Sequence, residues 1–233
     1  MPAIQAQQLA QMAKMNFKAN AILLPEQFQG FTDQAPFGPK DQKVPDAAAL
    51  FVAASTLNYH VDTAKTIGKG VEDLFDVCAD TIAKGNQNWM STAKFVGVLI
   101  NGPVGLVLPG NLVAGPFMSG PMLLATANVA GKQPMFIKYV QSITGAIGTA
   151  FMGWQMGVMG TLVFPGGAAC SVTMPPSPSI PVPLAALPSP AGEVMMSPGV
   201  LFGLMMAMHG VPGNHTIKIF QAFAQGFLVD FVQ

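Results

Sequence analysis

Apolar positions recur at helical spacing along most of this chain, and prolines and glycines punctuate them. Residues 3–18 predict a glutamine-rich helix whose stripe is Ile4, Leu9, Met12 and Met15. Pro25 closes that region, and residues 28–45, with Gly30, Pro36, Gly38, Pro39 and Pro45, read as an irregular arm. Pro45 and Asp46 have the chemistry of a helix start. The helix they begin is expected to be interrupted at Gly68 and Gly70. Beyond it, Val71, Leu74, Phe75, Cys78 and Ile82 fall on one helical face, opposite Glu72, Asp73, Asp76 and Asp80. Residues 89–101 predict a further helix that stops at Gly102-Pro103. Pro103, Pro109, Pro116 and Pro121 then follow too closely for a long helix. That tract predicts short helical turns, or a hydrophobic hairpin folded on the core, with 123–129 as its best helical piece.

Residues 135–164 form the strongest single pattern. Ala146, Ala150, Gly153, Gly157 and Gly160 make a small-residue face, and Ile143, Ile147, Phe151, Trp154 and Val158 a bulky one. Each glycine in a helix costs about 1 kcal/mol relative to alanine, so close packing has to offset that cost. A small face admits another backbone, as it does between membrane helices. Two readings stand side by side. The helix is either the centre of a packed protein core or subunit contact, or a membrane-inserted element using the uncharged run 139–164. Gln141, Ser142, Thr144 and Gln155 interrupt its apolarity, which favours protein packing.

From Met174 to Gly199 the chain reads MPPSPSIPVPLAALPSPAGEVMMSPG. This predicts an extended polyproline strap, since its prolines exclude regular helix and central strand. Ile180, Val182, Leu184 and Leu187 suit it to lie across an apolar surface, its own or a neighbour's. Residues 199–210 then predict a short apolar helix. The last helix carries Ile217, Phe220, Phe223, Phe227 and Phe231 along a stripe.

Composition sharpens the picture. The 233 residues are 51% apolar and 9% charged, with net charge zero; an average chain is about 25% charged. Every basic residue is a lysine, and seventeen of the charged residues precede Phe95. That shift divides the chain into an N-terminal helix and arm (1–45), a polar helical part (46–94) and an apolar helical part (95–233) containing the strap 174–199. Without arginine or a basic patch, nucleic-acid binding is not expected. So little charge predicts an apolar partner, either other protein subunits or lipid. The N-terminus lacks the basic and apolar regions of a secretory signal, so synthesis in the cytoplasm is expected.

Candidate chemistry is sparse. Cys78 and Cys170 define no disulfide framework and are expected to be buried thiols. The four acids at 72–80 match no calcium loop and read as a solvated face. His60, His209 and His215 are the only histidines. Zinc held by His209, His215 and Cys170, or Cys170 acting as a nucleophile with a histidine, would need groups without a recognised spacing. Sixteen methionines suit irregular cores and adaptable interfaces. The expected fold is all-α, with many short to medium helices and the proline-rich segment. No cofactor or metal is expected. The expected function is that of a non-enzymatic structural subunit of a large assembly, of virion, tail, injection-machine or secretion-machine type. Its contacts with copies of itself or other subunits would use Ala146, Ala150, Gly153, Gly157, Gly160, Phe220, Phe223, Phe227 and Phe231. The alternative is a membrane-inserting pore or channel component.

Overall fold

The computed structural model describes residues 4–19, 47–101, 104–163, 188–210 and 213–232. Among these, seven helices and a few short strands are present: α1 (Ala6–Ala19), α2 (Ala47–Thr92), α3 (Gly120–Thr126), α4 (Pro134–Gly157), α5 (Pro190–Met195), α6 (Pro198–His209) and α7 (Asn214–Val232). The strands are β1 (Lys94–Phe95), β2 (Leu99–Asn101), β3 (Val104–Val107), β4 (Leu112–Val113) and β5 (Gly160–Val163), with a single 3₁₀ turn at Pro116–Met118. The fold is therefore mostly helical, with a small β element absent from the all-α expectation.

Helix α2 is continuous over 46 residues, through the expected interruption at Gly68 and Gly70. Two glycines cost only about 2 kcal/mol together, less than a well-buried helix face supplies. Leu74, Phe75, Cys78 and Ile82 are fully or almost fully buried, as their spacing requires, and Ala79, Ala83 and Trp89 extend the same face. Three of the four acids opposite are paired with lysines: Lys14–Asp76 at 2.7 Å, Lys84–Asp80 at 2.7 Å and Lys132–Asp73 at 3.3 Å.

The further helix expected over 89–101 is not formed. Helix α2 ends at Thr92, and the chain then extends into strands. Val96, Val98, Leu99 and Ile100 form a run dense in β-branched side chains, which favours a pleated surface. Residues 94–101 and 104–113 pair antiparallel in two portions. Lys94 pairs with Val113 and Phe95 with Leu112; farther out, Leu99 pairs with Leu106, Ile100 with Gly105 and Asn101 with Val104. The bend between these portions lies at Gly97 (φ 74°) and Gly110 (φ 87°), a backbone region that strongly favours glycine. Asn111 Nδ2 donates to the Gly97 carbonyl at 2.7 Å and secures the bend. Strand β5 adds to β3 as a third, antiparallel strand.

Prolines open helices here. Pro116, Pro121, Pro134, Pro190 and Pro198 each stand in the first turn of the 3₁₀ turn, α3, α4, α5 and α6 respectively. A first-turn residue has no intrahelical use for its N–H, so proline is tolerated there and its fixed φ is preorganised. The described end of the expected strap, from residue 188, is accordingly helical over 190–195 and from 198. Its remainder, 174–187, lies outside the described residues.

The helices enclose α4. It packs against α2, α3, α5 and α6, and Val140, Ile143, Ala146, Ile147, Ala150 and Phe151 have no solvent exposure. Where α3 begins, the approach is backbone to backbone. A Cβ on Gly148 would strike the Gly120 backbone nitrogen and lie 2.9 Å from the Met118 carbonyl oxygen. One on Gly120 would lie 2.8 Å from Gly145 Cα. Elsewhere α1 lies on α7, where a Cβ on Gly226 would come 2.9 Å from the Ala13 nitrogen. This explains why the buried face of α1 is Leu9, Ala10, Ala13 and Phe17, while the expected Met15 is exposed.

Aromatic contacts join the helices. Phe75 of α2 meets Phe17 of α1 at 5.7 Å and Phe223 of α7 at 6.0 Å between ring centroids. Trp89 of α2 meets Phe151 and Trp154 of α4 at 5.0 and 6.0 Å. Tyr139 of α4 meets His209 of α6 at 4.8 Å and Phe220 of α7 at 5.7 Å.

Two glycine substitutions test this packing by urea denaturation. Gly148→Ala should lower stability by about 1–3 kcal/mol, the usual cost of overpacking. Gly203→Ala, in exposed α6 with nothing within 4 Å of its Cβ position, should raise stability by up to about 1 kcal/mol. An unchanged Gly148→Ala midpoint would contradict the close contact.

Candidate functional site

The most unusual surface is the outward face of the hairpin. Pairing places Leu99 beside Leu106 and, across β3, Thr161. Two residues along, Val104 shares that face, because side chains alternate along a strand. Leu99 is 57% exposed and Leu106 42% exposed. Val107 and Leu162, with opposite parity, are buried in the core. In the inner portion Leu112 points inward, while Val113 and Val96 are exposed. Leu108 at the β3–β4 turn is also exposed. From Phe95 to Gly131 the sequence holds no charge. A half-exposed sheet normally alternates apolar-in with polar-out. This one carries Leu99, Val104 and Leu106 outward beside the polar Thr161, and large exposed apolar patches mark interaction sites.

Beside the hairpin lies a cleft of about 180 Å³, where the C-terminal half of α4 faces the end of α2 and the 114–119 segment. Met152 and Met156, one helical turn apart on α4, line it, with Trp89, Pro116 and Met118. Its polar groups are largely engaged. The Trp89 indole N–H donates to Gln155 Oε1 at 2.8 Å, and Gln155 Nε2 donates to the Leu112 carbonyl at 3.2 Å. The Gly115 N–H donates to Thr92 Oγ1 at 2.9 Å. The Met156 carbonyl accepts from Gly110 at 2.9 Å, tying α4 to the hairpin bend.

The residues expected to make contacts between subunits lie mainly inside the chain. Ala146, Ala150, Phe220, Phe223 and Phe227 are 0% exposed, and their burial is supplied by the chain's own helices. Gly153 lies against the Met195 side chain of α5. Gly157 ends α4 and Gly160 begins β5, so no single helix presents the whole small-residue face. The side chain of Phe231 lies outside the described set. The bulky hairpin residues that do face outward carry no helical period and are missed by a search for one. Their alternation over 104–107 was the available signal.

The titratable groups are dispersed. His209 is buried against Tyr139 and Phe220, and Tyr139 shares a 2.6 Å hydrogen bond with Thr216. His215 is exposed at the start of α7. Cys170 lies outside the described residues, as does the side chain of His60. Among the described residues no three His, Cys, Asp or Glu side chains gather as a metal site. Asn86 is fully buried and accepts the Ile4 N–H at 3.3 Å. Cys78 is a free, fully buried thiol in α2, and burial pushes its pKa far up by disfavouring the thiolate.

No family model, curated protein or solved structure matches this chain. Its site is read from its own geometry.

The Cys78 environment has a consequence for stability. Its folded pKa is raised, so its contribution is complete below the unfolded thiol's value, near 9.0. It is lost as pH climbs from there toward the folded value, because only the unfolded chain ionises. Between pH 8 and 10 wild type should lose about 1.4 kcal/mol more than Cys78→Ala in urea unfolding. Equal losses would mean that the thiol ionises in the folded chain.

Proposed function

We propose that this protein is a non-enzymatic structural subunit of a large protein assembly, of the virion, tail, injection or secretion-machine kind. Its partners are copies of itself or other subunits, and it is made in the cytoplasm before joining the particle. The observation that carries this reading is the outer face of the hairpin, where Leu99, Val104 and Leu106 are exposed, with Val96, Leu108 and Val113 beside it and Lys94 as the one charged side chain. Such a face on a chain of zero net charge costs solubility unless a partner covers it.

The contact is placed on the hairpin, not on the small face of α4 or the phenylalanine stripe of α7. Those faces already have partners within the chain. An edge strand adds to the argument, since β2 lies at one side of the three-stranded sheet and among the described residues pairs only with β3, and an edge strand can accept another strand. The membrane reading rested on the run 139–164. In the structure α4 stops at Gly157, and among the described residues no helix is long and apolar enough to cross a membrane.

Native mass spectrometry and liposome flotation on one sample test the proposal. Wild type should form a defined oligomer and stay unbound to lipid. The pair Leu99→Glu and Leu106→Glu should shift it to monomer, with helical circular dichroism unchanged, because both side chains already face outward. A monomeric wild type, an oligomer untouched by both charges, or flotation with lipid would overturn it.

A further inference from the structure

We infer that the cleft between α2, α4 and the 114–119 segment is a binding site for a small, uncharged aromatic molecule. A cavity of about 180 Å³ is of the size that takes a single ring, since an apolar cavity of about 150 Å³ accommodates benzene. The walls decide the chemistry of the ligand. None of the residues lining the cleft is charged, so a carboxylate, phosphate or ammonium would lose its water without gaining a partner.

The polar side chains in the wall are mostly committed to one another. Gln155 is engaged at both ends of its amide, by the Trp89 indole and by the Leu112 carbonyl. A sugar or nucleotide, which needs several hydrogen bonds, therefore finds few. One side chain differs. Ser119 lines the cleft and stands at the N-cap of α3, yet makes no capping hydrogen bond. It offers one hydroxyl at one place on the wall. A ring bearing a single hydroxyl matches that provision, with its apolar body against the other walls.

Met152 and Met156 supply the adaptable side. They are 51% and 64% exposed, and thioethers make favourable contacts with aromatic rings while conforming to their shape. Pro116 and the buried Trp89 form more rigid walls. The ring's place is thus bounded by fixed groups on one side and movable sulfurs on the other. This site is separate from the outward hairpin face and does not rest on the assembly reading.

The test uses the full chain with ¹³C-labelled methionine methyl groups and three probes: phenol, toluene and benzoate. Phenol should shift the Met152 and Met156 methyl signals saturably, and leave Met135, exposed on the first turn of α4, unmoved. Toluene should bind roughly fivefold more weakly, for want of one hydrogen bond. Benzoate should not bind. Ser119→Ala should bring phenol down to the level of toluene without altering toluene itself. Because the Ser119 side chain makes no cap hydrogen bond, the variant is expected to fold as wild type. Shifts that do not saturate, shifts shared equally by Met135, benzoate binding comparable to phenol, or a phenol preference retained in Ser119→Ala would each overturn the inference.

Discussion

The contact between Gly148 of α4 and the backbone at Gly120 holds the centre of this structure to a single arrangement. Helices packed through ordinary side chains stand about 8–10 Å apart. Here the chain entering α3 rests directly on α4, with room for no Cβ. This puts Met118 and Leu123 against α2 at Gly85, so the same segment fills the angle between two long helices. From that placement the other neighbours of α4 follow. The N-terminal half of α4 meets α6 and α7 through Tyr139, and the C-terminal half meets α2 through Phe151 and Trp154. Helix α5 returns over the end of α4, with Gly192 seated on Trp154 and the Ser189 hydroxyl donating to the Trp154 carbonyl at 2.7 Å.

The helices leave single apolar side chains outward, such as Met15, Ile67 and Val194, while the hairpin gathers six of them together, Val96, Leu99, Val104, Leu106, Leu108 and Val113. The hairpin grows out of the end of α2 and is tied back by three anchors, Thr92 Oγ1 to Gly115, Gln155 to Leu112 and the Met156 carbonyl to Gly110. These anchors fix which strand residues face the core. Strand alternation then exposes Leu99, Val104 and Leu106 without further choice. The cleft arises at the same junction, because α4 passes Trp89 and its last exposed turn projects two methionines beside the 114–119 segment. Interface and cleft are thus two consequences of one join between helix and hairpin.

Much of the helical scaffold was legible from spacing alone. The face Leu74, Phe75, Cys78 and Ile82 repeats every three or four residues, and α6 was bounded within one residue. The Phe220, Phe223 and Phe227 stripe was equally clear as a buried face. What covers that face was not legible, since a periodic stripe specifies burial and carries no information on whose side chains provide it. The small-residue face of α4 shows the same limit. Glycines signalled close approach, and Gly153 of that face does meet the Met195 side chain, yet the backbone-to-backbone contacts with the start of α3 fall at Gly145 and Gly148, beside the face that the spacing singled out. The partner there is Gly120, across a proline-broken tract whose path no local rule provides.

The prolines and the hairpin show the division most plainly. A proline forbids helix before it and permits helix after it, so Pro190 and Pro198 read equally as breakers and as starters. Only contacts with α4 selected the second role. Residues 94–101 read as helix, and the tract from Pro103 as either short turns or a hairpin, because its apolar runs are too brief to establish a period. Pairing across the chain, between Lys94 and Val113 or Leu99 and Leu106, resolved the choice. The sequence by itself determined the helical patterns of α2, α4, α6 and α7, the faces of theirs that seek burial, and that the chain has little charge for its size. The tertiary structure decided which faces are satisfied internally and which remain outward, because that depends on contacts between residues far apart in the chain.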